Sequence, residues 1–148
     1  MGLSWYNGFS PDQRDRSQKW LSAQFAAGLQ RPTACQACGQ THGAIDYHTE
    51  DYSEPFGPHI HGFSLCWRCH IILHCRRHNP AAWDRYREAI RNGWRFPPMW
   101  RNWAVFQKWL GEFARGDGLK GVVFTDNRYE STVLDEIHDG IYNPNHGK

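Results

Sequence analysis

The stretch Leu65-Cys66-Trp67-Arg68-Cys69-His70-Ile71-Ile72-Leu73-His74 combines a Cys-x-x-Cys knuckle with a run that reads as a helix. A second knuckle, Cys35-Gln36-Ala37-Cys38, lies upstream. Each presents two thiolates at the spacing one tetrahedral zinc ion takes, so the two together make a complete four-sulfur shell. Gly39 follows the first pair, where backbone freedom helps the knuckle turn. A redox Cys-x-x-Cys needs the motif to open a helix in a thioredoxin-like βαβ unit, and no such pattern surrounds Cys35. The expected cofactor is therefore one structural zinc on Cys35, Cys38, Cys66 and Cys69. The 27 residues between the knuckles leave room for a β-hairpin inside the staple. Cys75, the fifth cysteine, reads as a small buried helix residue.

Such a staple answers a deficit elsewhere in the composition. The chain has 148 residues, enough for one domain or one domain with a small appendage. Leu, Ile, Val and Phe make up only 27 of them, while Trp contributes 8. A lean aliphatic core of this kind usually needs a metal or other clamp. Net charge is only +2, which argues against disorder. No apolar run approaches the length of a membrane span. The first residues lack the basic start and apolar core of an export signal, so the expected compartment is the cytoplasm, where disulfides do not persist.

Histidines form the second constellation. Seven of nine, at positions 42, 48, 59, 61, 70, 74 and 78, fall within one window of 37 residues. His70 and His74 stand four apart on a helix expected from about Trp67 to Arg77, and so share one face. Ala44-Ile45-Asp46-Tyr47-His48 reads as a strand with Asp46 and His48 on one side. Thr49–Pro55 reads as a loop. Either His48, His70 and His74 converge on a second divalent metal (Mg²⁺, Mn²⁺, Ni²⁺ or Zn²⁺), or the helical pair are surface or packing histidines and His48 hydrogen-bonds locally.

The string Tyr47-His-Thr-Glu-Asp-Tyr-Ser-Glu-Pro55, followed by Leu65-Cys-Trp-Arg-Cys-His70 and His74, resembles the HNH, or His-Me finger, endonucleases, most of all small bacterial and phage members. The match covers roughly residues 33–78. It implies a ββα-metal fold in which a hairpin and a helix grip one catalytic divalent metal and the four-cysteine zinc pins hairpin to helix. Carried over by position, His48 falls at the first place of the strand motif, usually a metal ligand, and His70 and His74 fall at the helical metal-side places. The departures are specific. The next strand place, often the histidine that deprotonates water, holds Thr49, which is no base near pH 7. The middle place falls on His61. Two repairs are open: His48 acts as the base, with Asp46 or Asp51 helping, or the site binds without hydrolysis.

Around the finger the chain reads as helical. Ser10-Pro11 starts a helix running to about Ala27. Asn79-Pro80 starts another, with Trp83, Tyr86 and Ile90 on one face. Trp100, Trp103, Phe106, Trp109, Leu110 and Phe113 suit a third, and Gly121–Thr125 reads as a strand. The tail after Ile141 reads as frayed. The expected organisation is an N-terminal helical segment (1–32), the zinc-stapled finger (33–78) and a Trp/Arg-rich helical extension (79–148). The fold class is α+β, a small HNH-like ββα zinc finger flanked by helices. Charge is uneven: residues 76–115 carry nine Lys/Arg against three Asp/Glu, whereas the segments on either side are net negative. Arg76, Arg77, Arg85 and Arg91 are the expected nucleic-acid contacts, and most tryptophans are expected in the core.

These features lead to a divergent metal-dependent endonuclease acting on DNA. The alternative is an HNH-like zinc module that binds nucleic acid or a protein partner without cutting, with a purely structural interaction protein behind it.

Overall fold

The computed structural model describes residues 3–56, 62–125 and 133–139. Among them the chain is α+β, as expected, with five helices and two small two-stranded antiparallel sheets. His59, His61 and the tail after Ile141 lie outside the described residues.

Helix α1 (Pro11–Ala26) begins at a reciprocal cap: the Ser10 hydroxyl accepts from the Gln13 amide, and the Gln13 side chain accepts from the Ser10 amide. Strands β1 (Ile45–His48) and β2 (Phe63–Cys66) form a hairpin, with Ile45 opposite Cys66 and His48 opposite Phe63. Helix α2 (Trp67–His74) leaves β2 without a break. It is a turn shorter than the expected reach to Arg77, because the amides of His78 and Asn79 both turn back onto the Cys75 carbonyl. Asn79 then caps α3 (Pro80–Arg91) by accepting from Ala82. A two-residue strand, β3 (Trp94–Arg95), pairs with β4 (Val123–Phe124). Between them runs α4 (Trp103–Ala114), and α5 (Val133–His138) follows.

Asn102 corrects the expected start of the third amphipathic helix. Its side chain accepts from the Val105 amide, so α4 begins at Trp103 and leaves Trp100 outside. Phe106, Trp109 and Phe113 face inward, but Trp103 lies a turn beyond the core edge and stays half exposed. Trp83 and Trp109 are the buried tryptophans, whereas Trp5, Trp100 and Trp103 are exposed. The expectation of a mostly buried set therefore fails for these three.

One apolar cluster runs from Tyr6 and Phe9 through Leu65, Cys69, Ile72 and Leu73 to Leu134 and Ile137. Its aromatic centre is Tyr86, Phe96, Trp109 and Phe113, with ring centroids 5.0–6.1 Å apart. Aromatic burial thus supplies what the missing aliphatics do not. The hairpin is tied to the extension at Gly43-Ala44, where the Ala44 amide donates to the Met99 carbonyl. A side chain on Gly43, at φ +78°, would meet that carbonyl oxygen at 2.7 Å.

Candidate metal centres

The two knuckles meet where the hairpin joins α2. All four sulfurs of Cys35, Cys38, Cys66 and Cys69 lie within 4.8 Å of one another, and no cysteine among the described residues is in a disulfide. Gly39 turns the first knuckle at φ +80°. The Cys38–Cys66 sulfur separation is 3.7 Å, against about 3.8 Å for the edge of a tetrahedron with zinc–sulfur bonds of about 2.3 Å. The cluster can therefore hold a metal ion such as zinc. Burial pushes the Cys69 thiol well up, and the neighbouring sulfurs push the same way. Four thiolates coexist there only with a cation among them.

Two surrounding groups fit such an ion. The Tyr86 hydroxyl lies 3.0 Å from the Cys69 sulfur, placed to donate to a thiolate. Arg68, inside the second knuckle, is 5 % exposed, stacks 4.3 Å from the Trp109 ring centre and donates to the Pro97 carbonyl. It forms no ion pair among the described residues, and its Nη1 has no hydrogen-bond partner. A buried guanidinium without a counter-charge is costly. A divalent ion on four thiolates carries a formal charge of −2 and would supply that counter-charge.

The histidines form a second cluster, built from the same hairpin and helix α2. One nitrogen from each of His48, His70 and His74 lies within 4.8 Å of the others, and the ring centres are 4.9–5.0 Å apart. His48 is contributed by the end of β1, and the other two by one face of α2. The outer nitrogens are held by carboxylates: His48 Nε2 donates to Glu50 at 2.6 Å, and His70 Nδ1 faces Asp46 at 3.4 Å. With protons on those nitrogens, the opposite nitrogens are bare. His48 Nδ1 is buried with no hydrogen-bond partner among the described residues. His70 Nε2 stands 3.1 Å from His74 Nε2, near the roughly 3.3 Å edge of a tetrahedral site with metal–nitrogen bonds of about 2.05 Å. Burial pulls His48 down to about 4 and His74 well below the usual imidazole range, the latter aided by its histidine neighbours. Both are then neutral, the form that ligates metal. Three convergent imidazoles, two of them paired with carboxylates, could hold a metal ion.

Glu50 is the residue that spacing did not single out. Its carboxylate also receives the Tyr6 hydroxyl and, at 2.7 Å, the Arg76 guanidinium, while Asn7 donates to its backbone carbonyl. Burial alone would raise its carboxyl, but the His48 hydrogen bond and the Arg76 charge outweigh this and hold it low. Asp46 is likewise held low against burial by His70 and Arg101. Alternation along a strand hints at such a pair, but Glu50 stands beyond the strand end and reads as loop.

The remaining candidates separate. Asp51 is spent on its own loop, accepting from the Ser53 amide and hydroxyl. Thr49 is buried; its hydroxyl donates to the Asp51 carbonyl and accepts from the Asp51 amide, each at 2.9 Å. Arg76 is committed inward to Glu50 and Tyr6 rather than offered to a nucleic acid, because buried Glu50 requires a cation. Arg85 lies over the Phe113 ring, and Arg91 pairs with Asp135. Arg77 is exposed and, with Arg76, lines the cleft of about 450 Å³ into which the histidines open. The same cleft is lined by Arg14 from α1, 7 % exposed, for which no local sequence pattern signals a role. Arg14 donates to the Ser4 carbonyl, makes no ion pair among the described residues and leaves Nε without a partner.

Comparison with family models, with curated proteins and with solved structures finds no match to this chain. Among the described residues no helix is long and apolar enough to cross a membrane.

Proposed function

We propose that the protein is a metal-dependent phosphodiesterase of the HNH, or His-Me finger, kind acting on nucleic acid, with zinc in the cysteine cage and a catalytic divalent ion on His48, His70 and His74. The observation that carries this is the convergence of three imidazoles in an open cleft, with the Nδ1 of buried His48 lacking a hydrogen-bond partner among the described residues. The order hairpin then helix, with the cysteine cage at their junction, supports the same reading.

A divalent ion on neutral imidazoles supplies Lewis-acid polarisation of a phosphoryl oxygen and activation of water near neutral pH. Around it the chain's own groups have defined work. Glu50 and Asp46 keep protons on the outer nitrogens of His48 and His70, so that the bare nitrogens face inward. Arg14, which lies over the Tyr6 and Tyr52 rings and has no ion-pair partner among the described residues, donates charge-assisted hydrogen bonds to a phosphate oxygen in the cleft. Tyr6 and Arg76 hold Glu50 in place rather than touching substrate. Thr49 takes no part in proton transfer, since its hydroxyl is held in the loop on both sides.

The test is cleavage of plasmid and of unpaired oligonucleotide with Mg²⁺, Mn²⁺, Ni²⁺ or Zn²⁺. Metal-dependent cutting should fall at least about 100-fold in His74→Ala and about 10- to 100-fold in Arg14→Ala, in line with the loss of a ligand or an oxyanion contact. A non-hydrolytic binding module is favoured by the spent hydroxyl of Thr49. Equal background cutting by wild type and both variants would sink hydrolysis.

A further inference from the structure

Two tryptophans line the histidine cleft without being absorbed into the core: Trp5, 69 % exposed, from the N-terminal segment, and Trp103, 50 % exposed, from the start of α4. Trp103 stacks on buried Phe106, with ring planes 20° apart, which fixes its orientation while leaving half of it in solvent. A second cleft, of about 640 Å³, meets the first at Gln18, Tyr47 and His70. It adds Arg31, whose guanidinium covers Phe25 at 4.2 Å, and Phe25 in turn stacks on Tyr47. Cationic and aromatic groups therefore line both of the joined clefts.

His48 is only 1 % exposed, so a phosphodiester reaches it by entering the cleft. A duplex is stiff and keeps its bases stacked on one another, offering an indole ring no base face. An unpaired strand bends, and its bases stack on aromatic side chains whatever their sequence.

We propose that the substrate is an unpaired nucleic-acid strand lying along the two joined clefts, with one phosphate at Arg14 beside the histidines and flanking bases stacked on Trp5 and Trp103. Its standing as a substrate rests on the phosphodiesterase reading; its binding does not. The test is fluorescence anisotropy of a labelled oligothymidylate of about twelve nucleotides, within the site sizes usual for unpaired strands, against a blunt duplex of the same length. It uses the full zinc-loaded chain without added divalent ion, so that nothing is cut. The strand should bind at least about tenfold more tightly than the duplex. Trp5→Ala and Trp103→Ala should each weaken strand binding by about 5- to 150-fold, the range that corresponds to loss of one stacked base, and leave duplex binding within about twofold. Trp5→Phe and Trp103→Phe should recover most of the loss, and all four variants should keep the wild-type circular dichroism, since both rings lie outside the core. Equal affinity for strand and duplex, or alanine variants that bind the strand like wild type, would overturn the proposal. Strand binding with this tryptophan dependence but no cutting by any divalent ion would sustain the strand site and remove hydrolysis.

Discussion

Glu50 accepts from His48, Tyr6 and Arg76 at once, and Asp46 plays the matching part between His70 and Arg101. In the proposed histidine centre both carboxylates would act on the ion through an imidazole rather than by touching it. Removing such an outer partner typically costs about 10- to 100-fold in metal affinity. Asp46→Asn is expected to weaken Mn²⁺ binding at the histidines by that factor while leaving one zinc per chain in the cage. Calorimetric titration together with elemental analysis checks this, and unchanged Mn²⁺ affinity would show that Asp46 does not orient His70. Asp46 is the better probe because its side chain is partly exposed. Glu50→Gln also strips the buried Arg76 of its charge partner, and breaking a buried pair can cost about 3–5 kcal/mol of stability.

Between β1 and β2 the element that matters is the loop opened by Thr49. On the proposed HNH reading this place would carry the base; here the hydroxyl closes a local turn with Asp51. Thr49→Val should therefore lower stability by about 1–2 kcal/mol, the usual cost of losing a buried hydrogen bond and stranding its partner, and leave metal-dependent cutting within about threefold. Thermal denaturation and cleavage rates measure the two effects separately, and a cutting loss of a hundredfold would return Thr49 to the reaction. The knuckles, the strand ending in His48 and the helical histidine pair were all legible from spacing, because ligand spacing and strand or helix periodicity are local properties. The roles of Arg14 and Tyr6 were not legible. They reach the site from the N-terminal segment, far from the histidines in the chain, and no local pattern encodes that approach.

At the scale of the whole molecule, the cysteine cage joins the hairpin, α2 and the aromatic centre. Arg68 lies between the cage and Trp109, and Tyr86 touches both the Cys69 sulfur and the rings of Phe96 and Phe113. Structural zinc contributes about 10–16 kcal/mol in small zinc domains, which matches or exceeds the total stability of about 5–15 kcal/mol usual for a protein. Stripping zinc with a strong chelator should accordingly abolish the near-ultraviolet dichroism of the aromatic centre and the cooperative melting transition. Arg68→Met should release zinc to a colorimetric chelator about tenfold faster without destabilising the zinc-free chain, because it removes the cage's counter-charge along with a buried cation. A variant that holds zinc as wild type does would show that the guanidinium serves packing alone.

The amino-acid sequence by itself determined the cysteine pairs, the strand and helix that carry His48, His70 and His74, and the α+β class, since each follows from spacing and periodicity within a short stretch of chain. Tertiary structure alone decided which charges are spent and which are left over. It turned Arg76 inward onto Glu50, set Arg14 in the histidine cleft without an anion among the described residues, and left Trp5 and Trp103 at its edge rather than in the core. The physical reason is that a side chain's partner, and its cost of desolvation, depend on what other segments bring beside it, and that is fixed only when the chain closes around a shared core.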